Sequence, residues 1–209
     1  AEELIVARNL FLLEYTGGKL HIPTISTAKS VALIKEAKKK GLNITCSVAV
    51  HHLVLTDEKL EGFDSRYKVS PPLRNEEDRK ALLKGVLDNT IDCITSDHNP
   101  IDIENKKMEF DLAKNGTIGL ESAFSALLTV LPLEKIIEKL TFGKAILNIE
   151  SQEIAENNKV SVSLFTIDEN WRFDAAHILS KSKNTAFLGQ QMKGKVIGIY
   201  NQGKLVING

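Results

Sequence analysis

The sequence is short of the features that mark secreted, membrane-bound or nucleic-acid-binding proteins. It has two cysteines in 209 residues, Cys46 and Cys93, and both fall in predicted core strands. They are expected to be small buried apolar residues of a reduced, cytoplasmic protein rather than a disulfide. Charge of neither sign is in excess: Lys+Arg and Asp+Glu both number 27, for a formal net charge of zero. A nucleic acid or an anionic membrane would require a basic face, so neither is expected as a main partner. No apolar run approaches the roughly 18 to 20 residues of a membrane span. The opening Ala1-Glu2-Glu3-Leu4-Ile5-Val6-Ala7-Arg8 carries no signal-peptide pattern. It reads as the inside of an amphipathic helix, as in a piece of something larger. Internal repeats and low-complexity tracts are absent, and the length suffices for one large or two small domains with a real core.

What is present is chemistry at strand ends. Ile91-Asp92-Cys93-Ile94-Thr95-Ser96-Asp97-His98-Asn99-Pro100 begins as a buried strand, expected over 91–97, and ends in a carboxylate and an imidazole. The loop after it is expected to stay irregular to about Leu120. Catalytic groups in α/β barrels sit where the strands stop, at their C-terminal ends. A second such run, 43–51, alternates with period two into His51-His52. Strand side chains alternate faces, so the two histidines are expected to face opposite ways and cannot share a role. His51 then lies with the small Thr45, Ser47 and Ala49, as a barrel-lining residue would, and His52 packs under a helix. A third strand, 19–25, ends in Ser26-Thr27, with Pro23 awkward for a strand paired on both sides.

Between these strands the pattern is helical. Helices are expected over 1–16, with Leu4, Ile5, Leu12 and Leu13 on one face, and from Ser26-Thr27 as cap to Gly41. Others are expected over 76–87, 120–131 and 133–146. Strand and helix in alternation imply a parallel sheet. After about Ile149 the composition turns to antiparallel strands at 160–167, 194–200 and 204–207, the last two joined by the turn Asn201-Gln202-Gly203. Two units are therefore expected, 1–149 and 150–209. Three strands precede the second unit, whereas a closed (β/α)8 barrel takes eight and about 250 residues.

With those residues in view, the chain resembles the C-terminal half of a dihydroorotase of the long, cyclic-amidohydrolase type. The likeness is carried by His51-His52-Leu53, Tyr67-Lys68 with Pro71-Pro72-Leu73-Arg74, Asp78-Arg79, Ile91-Asp92-Cys93-Ile94, Asp97-His98, Gly116 through Gly119 to Glu121, and Phe187-Leu188-Gly189. The resemblance implies the C-terminal part of a (β/α)8 metal-dependent hydrolase barrel plus a small β-sandwich module. It implies zinc as cofactor, which makes a water more acidic and polarises the ring carbonyl that is attacked. It implies reversible hydrolysis of dihydroorotate to N-carbamoyl-aspartate, a step of pyrimidine biosynthesis. On it, Asp97 is the proton shuttle and metal neighbour, His51 a metal ligand, and Ser70 and Gly116 substrate-binding positions. His98 is expected to be structural, and Arg74 an ion-pair residue.

Three positions depart from the family pattern. Thr24-Ile25-Ser26-Thr27 stands where the family has His-Val-Ser-Thr, Ser70 stands for Asn, and Ile101 stands for a second His. The N-terminal His-x-His motif and the bridging ligand are absent from this sequence. Two functions follow as expectations. One is a zinc-dependent dihydroorotase that acts on a small molecule. The other is an inactive paralogue that supports a pathway enzyme such as aspartate transcarbamoylase; a homo-oligomer or such a complex is expected.

Overall fold

The computed structural model describes residues 1–150, 154–156 and 158–207. In chain order it places α1 (Glu2–Thr16), β1 (Leu20–Ile22), α2 (Ala28–Lys39), β2 (Ile44–Ala49), α3 (Val50–Val54), α4 (Glu76–Leu87) and β3 (Cys93–Thr95). There follow α5 (Ile103–Lys106), α6 (Ala123–Leu127), α7 (Leu133–Thr141), α8 (Gly143–Ile146), β4 (Ser161–Arg172), β5 (Gln191–Asn201) and β6 (Lys204–Ile207). The first three strands form a parallel sheet in the order β1-β2-β3, and the last three an antiparallel one in the order β4-β5-β6. Among the described residues no helix is long and apolar enough to cross a membrane.

Register gives the parallel sheet two unlike faces. Leu20 pairs with Ile44, Ile22 with Cys46 and Val48 with Ile94. Register partners in parallel strands point the same way, so these six form one apolar face. It merges with the helix residues Val31, Ile34, Leu82, Val86 and Ile136 in one core cluster, in which Ile34, Val48 and Val86 are fully buried. The other face pairs His21 with Thr45, Ser47 with Cys93 and Ala49 with Thr95. Its residues are small or polar, and His21 Nδ1 lies 2.9 Å from Thr45 Oγ1 across it.

Helix ends follow from local chemistry. Thr27 caps α2 by accepting from the Ser30 amide, and Asn75 caps α4 by accepting from the Asp78 amide. Ser26, freed from the capping role, donates its hydroxyl to Glu2 at 2.5 Å, and the Glu2 carboxylate also takes the Ser26 amide and the Ser30 hydroxyl. This bolts the start of α1 onto the start of α2. Arg74 joins the cluster as expected of an ion-pair residue, 3.6 Å from Glu2 and 3.0 Å from Ser26 Oγ.

Several boundaries differ from the sequence expectation. The run 43–51 stops as a strand at Ala49, and His51 and His52 belong to the helical turn α3, so strand parity does not govern them. The strand expected over 91–97 is only Cys93–Thr95, and that over 19–25 is only Leu20–Ile22, which leaves Pro23 beyond the paired segment. The loop after His98 contains the short α5. The helix expected over 120–131 shrinks to Ala123–Leu127, and that over 133–146 divides into α7 and α8. In α1 the buried stripe is Val6, Leu10 and Leu13, spaced four and three apart, while Leu4, Ile5 and Leu12 are exposed. A helix with apolar residues on several faces cannot declare its inner face by composition. The β5–β6 hairpin turns through Gln202 and Gly203, both at positive φ, as a two-residue turn of the type that matches strand twist requires. β5 rests on α6, where the Ser125 hydroxyl donates to Gly194 O at 2.7 Å.

Candidate active site

The site is assembled just past the ends of β2 and β3. His51 and Asp97 each stand two residues beyond the last paired residue of their strands, Ala49 and Thr95, which are themselves partners. Equal offsets from a shared register bring the two side chains together: His51 Nε2 is 4.0 Å from Asp97 Oδ2. Asp97 reaches this position through a left-handed backbone, φ 45°, a conformation that Asp tolerates better than most residues.

Burial sets the electrostatics. His51 has no exposed surface, and that desolvation, aided by the adjacent His52, pushes its imidazole well below the usual range. The ring is therefore neutral near pH 7, and neither ring nitrogen has a hydrogen-bond partner among the described residues. A buried polar group left unsatisfied costs about 1–3 kcal/mol, so this is a feature that asks for an explanation. His52, its centroid 4.4 Å away, is half-satisfied: its Nε2 is 3.1 Å from Pro71 O, while its Nδ1 has no partner among the described residues. Burial lowers the His52 pKa to about 4. Asp97 is half-buried, and desolvation raises its carboxyl above the ordinary value, which makes it a stronger base when ionised.

His98 turns out to be a loop organiser. Its Nδ1 accepts the amides of Gly119 and Leu120 at 3.2 and 3.3 Å, which places the ring proton on Nε2. Gly119 must be glycine for this, since a Cβ there would stand 2.2 Å from Ser96 O.

The remaining predicted positions are connected differently. Gly116 is buried at φ 143°, and a Cβ would stand 3.0 Å from Asn99, so the backbone alone demands glycine. Its amide donates to Lys68 O at 2.9 Å, two residues from Ser70. Ser70 is exposed and precedes a cis peptide to Pro71. Thr24 is a β-branched residue at φ 49°, a rare conformation for its type, with its amide on Ser47 Oγ at 3.1 Å. Ile101 contributes a carbonyl to the Ser182 hydroxyl at 2.6 Å.

A metal ion of the zinc type takes nitrogen and oxygen donors, about 2.0–2.2 Å away, usually four of them. The unpartnered His51 imidazole and the Asp97 carboxylate 4.0 Å from it fit two of those places. No group of three or more His, Cys, Asp or Glu able to hold a metal occurs among the described residues. His51 and Asp97 by themselves therefore leave such a coordination shell incomplete. Sequence reasoning passed over Ser47, whose hydroxyl supports the Thr24 turn, and Lys106, a buried ammonium within the 98–117 loop. Only their register and burial reveal them.

No protein-family model matches the sequence. Among curated proteins, the dihydroorotase of Endomicrobium trichonymphae is 40% identical over 214 residues, spanning 99% of this chain and 51% of that protein. The dihydroorotase of Caldicellulosiruptor saccharolyticus is 38% identical over 99% of this chain and 50% of its own length. The chain thus spans about half the length of the curated relatives it matches. Among solved structures, the L-hydantoinase (dihydropyrimidinase) of Arthrobacter aurescens superposes with a TM-score of 0.91 at 24% identity, covering 99% of this chain and 49% of that one. The inactive dihydroorotase-like domain of a CAD-like multifunctional protein from Chaetomium thermophilum superposes at 0.70 with 21% identity, over 96% of this chain and 54% of that domain's chain. At those identities the structural matches speak for the fold alone, an α/β fold shared with hydantoinases. On the sequence matches, the chain belongs to the dihydroorotase family and corresponds to about half of a member's length.

Proposed function

We propose that the chain supplies the C-terminal part of a (β/α)8 cyclic amidohydrolase that interconverts dihydroorotate and N-carbamoyl-aspartate in the cytoplasm. On this reading 1–149 is the barrel portion and 150–209 a β-sandwich module, both completed by polypeptide outside this sequence. The observation that carries it is the buried, unpartnered His51 facing Asp97 at strand ends. His51 would hold zinc with Asp97 beside it, and bound zinc would supply Lewis acidity toward a water and the ring amide carbonyl. Asp97 would take the proton of the attacking water and hand it to the leaving nitrogen; its raised pKa suits both steps. His98 would hold the Asp97 loop through the Gly119 and Leu120 amides, and Gly116 and Ser70 would line the substrate's side of the site.

A second reading, a paralogue without catalysis that serves as scaffold for a pathway enzyme such as aspartate transcarbamoylase, is favoured by Thr24, Ser70 and Ile101. A threonine is a poor substitute for a ligating imidazole, and Ile101 cannot hydrogen-bond through its side chain. The two readings separate on one assay: the complete gene product, loaded with zinc, is given carbamoyl aspartate and followed for ring closure. Turnover that a chelator abolishes is the expected result. A zinc-loaded protein with no turnover would leave the scaffold reading standing.

A further inference from the structure

Lys106, on the last turn of α5, is 2% exposed. An ammonium group has three donors and no acceptor. Here all three are taken by main-chain carbonyls, those of Lys68, Lys114 and Gly116, each at 2.9 Å. No carboxylate forms an ion pair with it among the described residues, although Asp64 attracts it at longer range and Lys68 repels it. Lysine is almost never buried unpaired, because an ammonium loses much of its hydration there. That cost shows in a pKa drawn down by burial to about 8. A sequence that merely needed to fill this volume would place an apolar side chain there.

The three carbonyls come from two segments that are otherwise joined by the single main-chain bond from Gly116 N to Lys68 O, at 2.9 Å. One is 68–70, which leads into Ser70. The other is 114–117, which pairs with the residues following Asp97: Asn99 N donates to Thr117 O at 2.8 Å, and His98 and Thr117 form a parallel bridge. Further bonds reinforce the junction. The Ser65 hydroxyl donates to Lys106 O at 2.6 Å, Lys68 Nζ to Phe110 O at 2.7 Å, and Asn184 Nδ2 to Gly116 O at 2.9 Å.

We propose that Lys106 is a positioning residue whose buried ammonium knots the 68–70 segment to the 114–117 segment and thereby fixes Gly116 and the Asp97-His98 loop at the site. Its consequence for turnover rests on the amidohydrolase reading above; its consequence for loop order does not.

The test uses the complete gene product and the variant Lys106→Met, which keeps the apolar stem and removes the ammonium. Two readouts are taken, amide hydrogen exchange at 107–117 and the KM and kcat for dihydroorotate. Exchange at Gly116 and its neighbours should quicken at least tenfold while α2 and α4 keep their protection, and KM should rise tenfold or more with a smaller loss of kcat. In Lys106→Ala, added propylammonium should slow the exchange again. Wild-type exchange in Lys106→Met would overturn the proposal, as would a uniform loss of protection across the chain. If the wild-type protein shows no turnover, the amidohydrolase reading fails, and exchange at Gly116 alone decides for or against the knot. Should Lys106→Met not fold, Lys106→Gln, which retains two donors, takes its place under the same criteria.

Discussion

The two faces of the parallel sheet are built from the same short strands and have opposite characters. On the helix side, Ile22, Cys46, Val48 and Ile94 are buried among apolar residues of α2, α4 and α7. On the other side, His21, Thr45, Ser47 and Thr95 are small or polar, and His51 just past β2 has both ring nitrogens unpartnered among the described residues. The first face is complete in itself, and apolar burial there stabilises the fold. The second is unfinished, and an unfinished buried polar surface is where a ligand or further chain has something to contribute. Stability and candidate chemistry thus occupy opposite sides of one layer.

The largest expected effect is on the packed side. Ile34→Ala, at a fully buried position, should destabilise the complete protein by about 2–5 kcal/mol in chemical denaturation. The corresponding truncation on the site side, Ala49→Gly aside, has little apolar volume to lose. A cost below about 1 kcal/mol for Ile34→Ala would mean that the two faces are not as different as their packing implies.

Acid should reveal the next difference. His52 is neutral in the folded state down to about pH 4, whereas in the unfolded chain it charges near its ordinary 6.5. A base with a depressed folded-state pKa gives stability that is fully present above 6.5 and is lost as pH falls toward 4. The loss from this group is on the order of 3 kcal/mol at pH 4. Urea titrations at pH 7 and pH 4.5 measure it, and His52→Gln should flatten the dependence. A dependence unchanged in His52→Gln would assign the acid sensitivity to other groups.

The smallest effect contrasts the two cysteines, which lie on opposite faces. Cys46 has no exposed surface and a thiol pushed up by burial to about 12; Cys93, on the site face, is 6% exposed and near 11. Since the thiolate is the reactive form, both should resist alkylation in the native state. Cys93 should nevertheless label first, as read by peptide mass spectrometry. Faster labelling of Cys46 would reverse the assignment of faces.

Much of this was legible in the sequence. Period-two alternation in 44–49 reports both faces, because strand geometry maps directly onto residue order. Ser26-Thr27 announces α2 by capping chemistry that needs only neighbours, with Thr27 as the cap. The Asp97-His98 pair at a strand end pointed to the candidate site proposed above. What escaped was set by tertiary structure. Val50-His51-His52 continues the alternation of 44–49 well enough to read as strand, yet the chain turns helical there once the sheet ends. Lys106 sits in a stretch with Lys107 and Lys114 that looks like solvated loop, and only the convergence of three carbonyls makes it a buried residue. The left-handed backbone of Thr24 likewise has no signature in a β-branched residue, a type that rarely adopts it.

The central claim is that His51 and Asp97 form half of a metal site. Its most direct test is the zinc content of the complete gene product, purified without chelator and measured by plasma mass spectrometry beside His51→Leu. The account predicts about one or more zinc ions per chain in the wild type. It predicts a loss of zinc in His51→Leu without a loss of folding stability, because leucine removes an unpartnered polar group from a buried place. A wild-type protein that takes up no zinc even when it is added back, or a His51→Leu variant that binds as much as the wild type, would contradict it.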